Sequence, residues 1–163
     1  MAALLAFVGP GSLPHYRFTW SDSVPWGLYK DTNELIYRGT FVAECLPLDL
    51  AALAKERDWL GKDRIPPILK QVAAIPGDTV ELAEEYVAVN GAFILNTATR
   101  KLDSKGREIP AVARGTFVLK PGEVFLLGTN SERSWDGRYT GPAKIADLIA
   151  TLQPVITRAN YGF

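Results

Sequence analysis

The chain has 163 residues, enough for one domain with a real core, and its 47% hydrophobic content with dispersed charge describes a globular protein, not a disordered one. Eighteen basic and eighteen acidic residues cancel, with no block of like charge, which excludes nucleic acid as the main partner because phosphate binding needs a basic face. A single cysteine, Cys45, and a single histidine, His15, exclude an internal disulfide and any cysteine- or histidine-rich metal site, and they leave lysine as the natural base for any nucleophile.

Residues 1–8 are wholly apolar and are followed by Gly9-Pro10-Gly11. Eight residues fall short of the roughly 20 that span a bilayer, and no basic region precedes them, so the run reads as a modest strand or as the stub of a longer anchor. The spacing sets residues 1–15 apart as a lead-in and 16–163 as one β domain. Leu35-Ile36-Tyr37 and Thr40 to Leu46, with Arg38-Gly39 between them, predict paired strands. Residues 49–60 predict the one clear helix, with Leu50, Leu53, Ala54 and Leu60 near one face, Asp49 as its cap and Gly61 as its end.

After Pro66-Pro67, residues 68–75 predict a strand stopped by Pro76-Gly77-Asp78, and 79–82 predict another. Asn90-Gly91 between the apolar runs 86–89 and 92–95 is a hairpin signal. Residues 99–110 read as an exposed charged loop. Lys120-Pro121-Gly122-Glu123 repeats the Pro-Gly device between strands at 117–119 and 124–127. From Gly141 a short turn or helix should lead into a last strand near Pro154 to Arg158. Many short strands with one or two short helices predict a mainly β fold, an antiparallel sheet or barrel.

Three stretches carry residues capable of chemistry. Ser21 and Ser23 stand two apart ahead of Val24-Pro25-Trp26-Gly27, so in an extended segment both would point to one side. Pro25 and Gly27 make a rigid corner where a hydroxyl could be held as a nucleophile, although a hydrogen-bonded Ser/Pro/Gly loop needs the same residues. Lys70 shares a strand face with Ile68, Val72 and Ala74, where loss of water would lower its pKa and free the amine to act as a base; a snorkelling lysine with its head in water fits the pattern as well. Ser134, Asp136 and Arg138 alternate, so that an Asp136–Arg138 pair could hold a loop while the Ser134 hydroxyl orients an amine. Read alone, that cluster is equally a polar surface turn.

Taken in this order, the stretches resemble the membrane-bound type I signal peptidases. Lys70-Gln-Val-Ala-Ala-Ile-Pro-Gly-Asp78 keeps that family's lysine-to-proline spacing, and Gly128-Thr-Asn130 with Ser134-Trp-Asp136-Gly-Arg138-Tyr-Thr-Gly141 is similar to its last box. One residue, not two, lies between Ser23 and Pro25; with Gly27-Leu28-Tyr29 and the strand Gly39 to Pro47, this resembles the TraF subgroup of conjugal-transfer peptidases, which process pilin precursors. The resemblance implies Ser23 as nucleophile, Lys70 as general base, and Ser21 beside the Ser23 N–H as oxyanion donor. It implies Ser134 as the serine that orients the lysine, with Asp136 and Arg138 as a supporting pair.

Thr129 and Gly137 depart from the aspartate and serine usual at those places, and Val24 replaces a common methionine, a change expected to shape the pocket or a membrane face. Relatives carry a transmembrane helix before the serine box. That implies residues 1–8 as its remnant, a catalytic domain on the periplasmic side of a bacterial inner membrane, and a membrane-facing surface around Tyr16, Phe18, Trp20 and Trp26. No metal or cofactor is implied.

The reading is therefore a Ser–Lys serine endopeptidase that processes, and in TraF relatives can cyclise, a secreted or pilin precursor. Substrate would bind by strand addition, with a small residue before the cut. The rivals are a general type I signal peptidase, a LexA-like self-cleaving domain, for which no convincing Ala-Gly site is present, and a non-catalytic β-barrel protein-binding module.

Overall fold

The computed structural model describes residues 5–7, 15–60 and 67–158. Among them twelve strands follow in chain order: β1 Leu5–Phe7, β2 Tyr16–Thr19, β3 Trp26–Thr32, β4 Phe41–Glu44, β5 Ile68–Ala74, β6 Thr79–Leu82, β7 Val87–Val89, β8 Ala92–Ile94, β9 Gly115–Val118, β10 Glu123–Leu127, β11 Ala143–Lys144 and β12 Leu148–Arg158. Helix α1, Leu48–Glu56, lies between β4 and β5; a single turn, α2, Gly137–Thr140, and a 3₁₀ turn, Ile145–Asp147, precede the last strand. The expected mainly β class holds, and every pairing is antiparallel.

The strands form an eight-stranded sheet in the order β1-β2-β3-β12-β4-β5-β10-β11 and a four-stranded sheet in the order β8-β7-β6-β9. Alternation along β10 joins them. Phe125 and Leu127 pack with Val80, Leu82 and Val87 of the smaller sheet and with Leu119 just past β9, whereas Val124 and Leu126 pack with Val42 and Val72 on the other side. A third cluster, Val24, Tyr29, Ala43, Leu69 and Leu152, sits under the loop between β2 and β3.

Local chemistry explains most of the turns. Asn90 and Gly91, at φ 51° and 81°, make the turn with both central residues left-handed that suits a two-residue hairpin. Pro76-Gly77 and Pro121-Gly122 close equivalent turns, with Asp78 N–H donating to the Ile75 carbonyl and Glu123 N–H to that of Lys120, each at 3.0 Å. Asp78 also ties three segments together: its buried carboxylate accepts from the Arg38 guanidinium, from Ile75 N–H and from Asn90 Nδ2.

Several boundaries differ from expectation. Residues 35–37 form no strand; Leu35 is 87% exposed, and β4 takes its partners from β5 and β12 instead. β-forming side chains without a partner strand do not make one. Strand β3, which the sequence pattern did not single out, pairs with β2 and β12. Helix α1 starts after Pro47 with no side-chain cap, so Asp49 lies within its first turn; Gly61, its expected end, lies outside the described residues. The last strand begins at Leu148, and Pro154 sits within it beside a register shift, where a missing N–H is tolerated. The short turn or helix expected after Gly141 is the 3₁₀ turn Ile145–Asp147, and a further helical turn, α2, comes just before Gly141. Leu5–Phe7 pairs with β2, and the rest of the apolar run 1–8 lies outside the described residues.

Candidate active site

The loop between β2 and β3 carries Ser21 and Ser23. It is a turn, not the extended segment expected, and the two hydroxyls converge because Ser23 N–H donates to Ser21 Oγ at 3.3 Å. Val24 anchors the loop: it is 1% exposed and packs into the core cluster of Tyr29 and Leu152, so it shapes neither a pocket nor a membrane face. Beyond it, Tyr29 Oη donates to the Pro25 carbonyl at 2.7 Å. Gly27, at φ 143°, lies against β12 so closely that a Cβ there would stand 2.0 Å from the Ile156 carbonyl oxygen. These contacts hold the corner rigid on both sides of Ser23.

Lys70 lies on β5, opposite Val42 of β4, and is 4% exposed. Its Nζ is 2.8 Å from Ser23 Oγ and 2.8 Å from Ser134 Oγ, and the two hydroxyls are 3.0 Å apart. Ser23 and Ser134 are themselves buried. The lysine is thus drawn into the interior and not left snorkelling. Burial pushes its pKa down from 10.5 to about 8, with Arg138 acting the same way and Asp136 and Glu44 opposing it.

Behind this triangle, Asp136 and Arg138 pair, but through a helix start and not an extended strand. Asp136 caps α2 by accepting from Arg138 N–H, and its carboxylate takes Arg138 Nε at 2.9 Å, Nη2 at 3.0 Å and Gly128 N–H at 2.8 Å. Arg138 is fully buried and also donates to the Ala98 and Ser134 carbonyls. Burial alone would raise the Asp136 pKa, but the hydrogen bond and charge of Arg138 outweigh it and hold the carboxyl below its ordinary range. The bond from Arg138 Nη2 to the Ser134 carbonyl is the link that fixes the Ser134 turn against the lysine.

Four features were not read from the sequence. Gly128 directly follows β10, where a Cβ would come 2.2 Å from Ser134 Oγ and 2.7 Å from Ser23 Cβ, so only glycine lets the two serines meet. Its place in the Gly-Thr-Asn box was the available signal. Gly137 is constrained likewise: a Cβ there would lie 2.8 Å from the Leu126 carbonyl oxygen. Glu44 is buried on β4 near the lysine, and burial, opposed by Lys70, lifts its pKa to about 7. Finally, Trp59 and Trp135, ring centres 5.1 Å apart, wall a cleft of about 320 Å³ into which Ser21, Ser23, Lys70 and Ser134 open. Trp20 and Trp26 flank the loop at 43% and 42% exposure. Among the described residues no cluster of His, Cys, Asp or Glu could hold a metal ion, and no helix is long and apolar enough to cross a membrane.

The chain belongs to the signal peptidase family, peptidase S26, whose profile matches residues 22–157. Within that range of proteins it is similar to two plasmid transfer proteins TraF from Escherichia coli. One is 32% identical over 160 residues, covering 95% of this chain and 90% of the relative. The other is 33% identical over 162 residues, covering 96% and 90%. Among solved structures, a signal peptidase I from Enterococcus faecalis V583 aligns at 21% identity with a TM-score of 0.44, over 75% of this chain and 100% of that one.

Proposed function

We propose that this protein is a serine endopeptidase with a Ser23–Lys70 dyad that processes a secreted or pilin precursor in conjugal transfer. The observation that carries the proposal is the 2.8 Å contact between Lys70 Nζ and Ser23 Oγ inside a desolvated pocket. An amine with a pKa of about 8 is neutral in about one molecule in ten at pH 7, against fewer than about one in a thousand for a free lysine. Only the neutral amine can take a proton from a serine.

In the proposed cycle the Lys70 lone pair accepts the Ser23 proton as Ser23 Oγ attacks the scissile carbonyl. Ser134 Oγ accepts an N–H from the same amine and holds it in line. The oxyanion that forms is met by Ser23 N–H and the Ser21 hydroxyl; the latter accepts weakly from Ser23 N–H at rest and keeps its own proton to donate. Lys70 then passes its proton to the leaving amine, and an ester on Ser23 remains. Water, deprotonated by Lys70, releases the acid, or an amine of the precursor itself releases an amide. Asp136 and Arg138 take no part in bond making; they hold Ser134.

The TraF relatives support the assignment to conjugal transfer, and the family supports a protein precursor as substrate. We place the catalytic unit at residues 16–163, on the periplasmic side of a bacterial inner membrane, with Trp20 and Trp26 toward the lipid. The test is mass spectrometry of a candidate pilin precursor incubated with wild type, Ser23→Ala and Lys70→Ala. Cleavage by wild type alone is expected, and the product masses separate hydrolysis from cyclisation by one water. Equal cleavage by all three would refute the dyad.

A further inference from the structure

One buried ionisable group near the dyad has no task in the cycle above. Glu44 ends β4 and is 8% exposed, and neither of its carboxylate oxygens is among the buried polar atoms left without a partner in the described residues. The sheet register says what it faces. Val42 stands opposite Lys70 and Glu44 opposite Ile68, so Glu44 and Lys70 are diagonal neighbours on one face of the β4–β5 pair. Side chains in that relation start about 7 Å apart, within the reach of a glutamate and a lysine.

We infer that Glu44 is a positioning residue for the dyad: when ionised, it offers the Lys70 ammonium a rival partner across the strand pair, and so sets the pH at which the amine is released to Ser23. The inference rests on the dyad reading. Among the described residues, the charges that act on these two are Lys70 and Asp147 on Glu44, and Asp136, Arg138 and Glu44 on Lys70. Asp136 is already held by Arg138 and Gly128 N–H. Of the two described anions that act on Lys70, Glu44 is the one that burial lifts, to about 7, and it shares a sheet face with the lysine.

The sign follows from charge. Ionised Glu44 favours the ammonium and holds the lysine protonated to higher pH, while a neutral side chain at 44 removes that bias. A unit charge within about 10 Å, in a medium of effective dielectric near 20, moves a titration by on the order of one pH unit or somewhat more.

The experiment reads Lys70 directly and needs no substrate. The full chain is labelled with trace acetic anhydride across pH 6–11, and Lys70 acetylation is followed by peptide mass spectrometry in wild type, Glu44→Gln, Glu44→Met and Glu44→Asp. We expect the Lys70 midpoint to fall by about one unit in both neutral variants and to stay nearer wild type in Glu44→Asp, which keeps the charge on a shorter stem. Thermal melting of the same variants separates this from a structural role, which would change stability and leave the midpoint in place. An unchanged midpoint in whichever neutral variants fold would overturn the inference. Failure of the dyad itself shows elsewhere, as cleavage by Lys70→Ala, and leaves the labelling result intact.

Discussion

Gly128→Ala tests how closely the site is built. An alanine Cβ at 128 would stand 2.2 Å from Ser134 Oγ, 2.8 Å from Ser134 Cβ and 2.7 Å from Ser23 Cβ. Ordinary contact is about 3.5–4.0 Å, so one or both serines must retreat by about 1 Å. Ser134 Oγ then leaves the 2.8 Å contact that orients Lys70, and Ser23 Oγ leaves its own. A displacement of that size at reacting atoms costs about 10²-fold in rate, or about 2.7 kcal/mol of barrier. The same crowding should lower stability by about 1–3 kcal/mol, as overpacking of a filled interior does. The assay is kcat/KM on a precursor-derived peptide beside a urea unfolding curve. Placing Gly128→Ala in a Ser134→Ala background should give a smaller further loss, because the shortest clash is already gone. Wild-type kcat/KM in Gly128→Ala would refute the argument that glycine is needed for the serines to meet.

Two further outcomes follow from the same geometry. Lys70→Met should abolish cleavage yet stabilise the fold by about 1–3 kcal/mol at pH 7, because a lysine whose folded pKa is near 8 prefers the unfolded state below that value; the gain should shrink between pH 8 and 10.5, measured by urea unfolding across pH. Asp136→Asn should cost about 3–5 kcal/mol, since it leaves the buried Arg138 charge uncompensated. Because the Asp136 carboxyl sits below its ordinary range when folded, its contribution in wild type is complete at neutral pH and is lost as pH falls through the acid range, so the stability gap between Asp136→Asn and wild type should narrow toward low pH. An equal gap at all pH values would contradict that.

Much was legible in the chain itself because it depends on residues close in sequence. The Asn90-Gly91 and Pro-Gly turns, and the strand 79–82, follow from conformational limits that glycine and proline impose wherever they stand. The three boxes could be named as a set because their spacing is preserved along the chain. What lay beyond reach was non-local. Leu35–Tyr37 has the composition of a strand and is not one, since the partners of β4 come from β5 and β12. Ser21 with Ser23, and Asp136 with Arg138, were expected to meet along extended backbone, yet they meet through a turn and a capped helix start. Alternation by two is a property of strands only, and nothing within the boxes excludes a turn.

Whether Lys70 is buried against the serines or lies at the surface could be decided only by folding. Its surroundings come from positions 47 and 64 residues away, and its shift in pKa comes from the water those residues exclude. The sequence alone determined which side chains were available: serine and lysine, one histidine, one cysteine and no charge excess. Tertiary structure decided which of them touch, because closing those long loops brings Ser23, Lys70, Ser134 and the tryptophan wall to one cleft, with Gly128 against both serines, and no local pattern encodes that meeting.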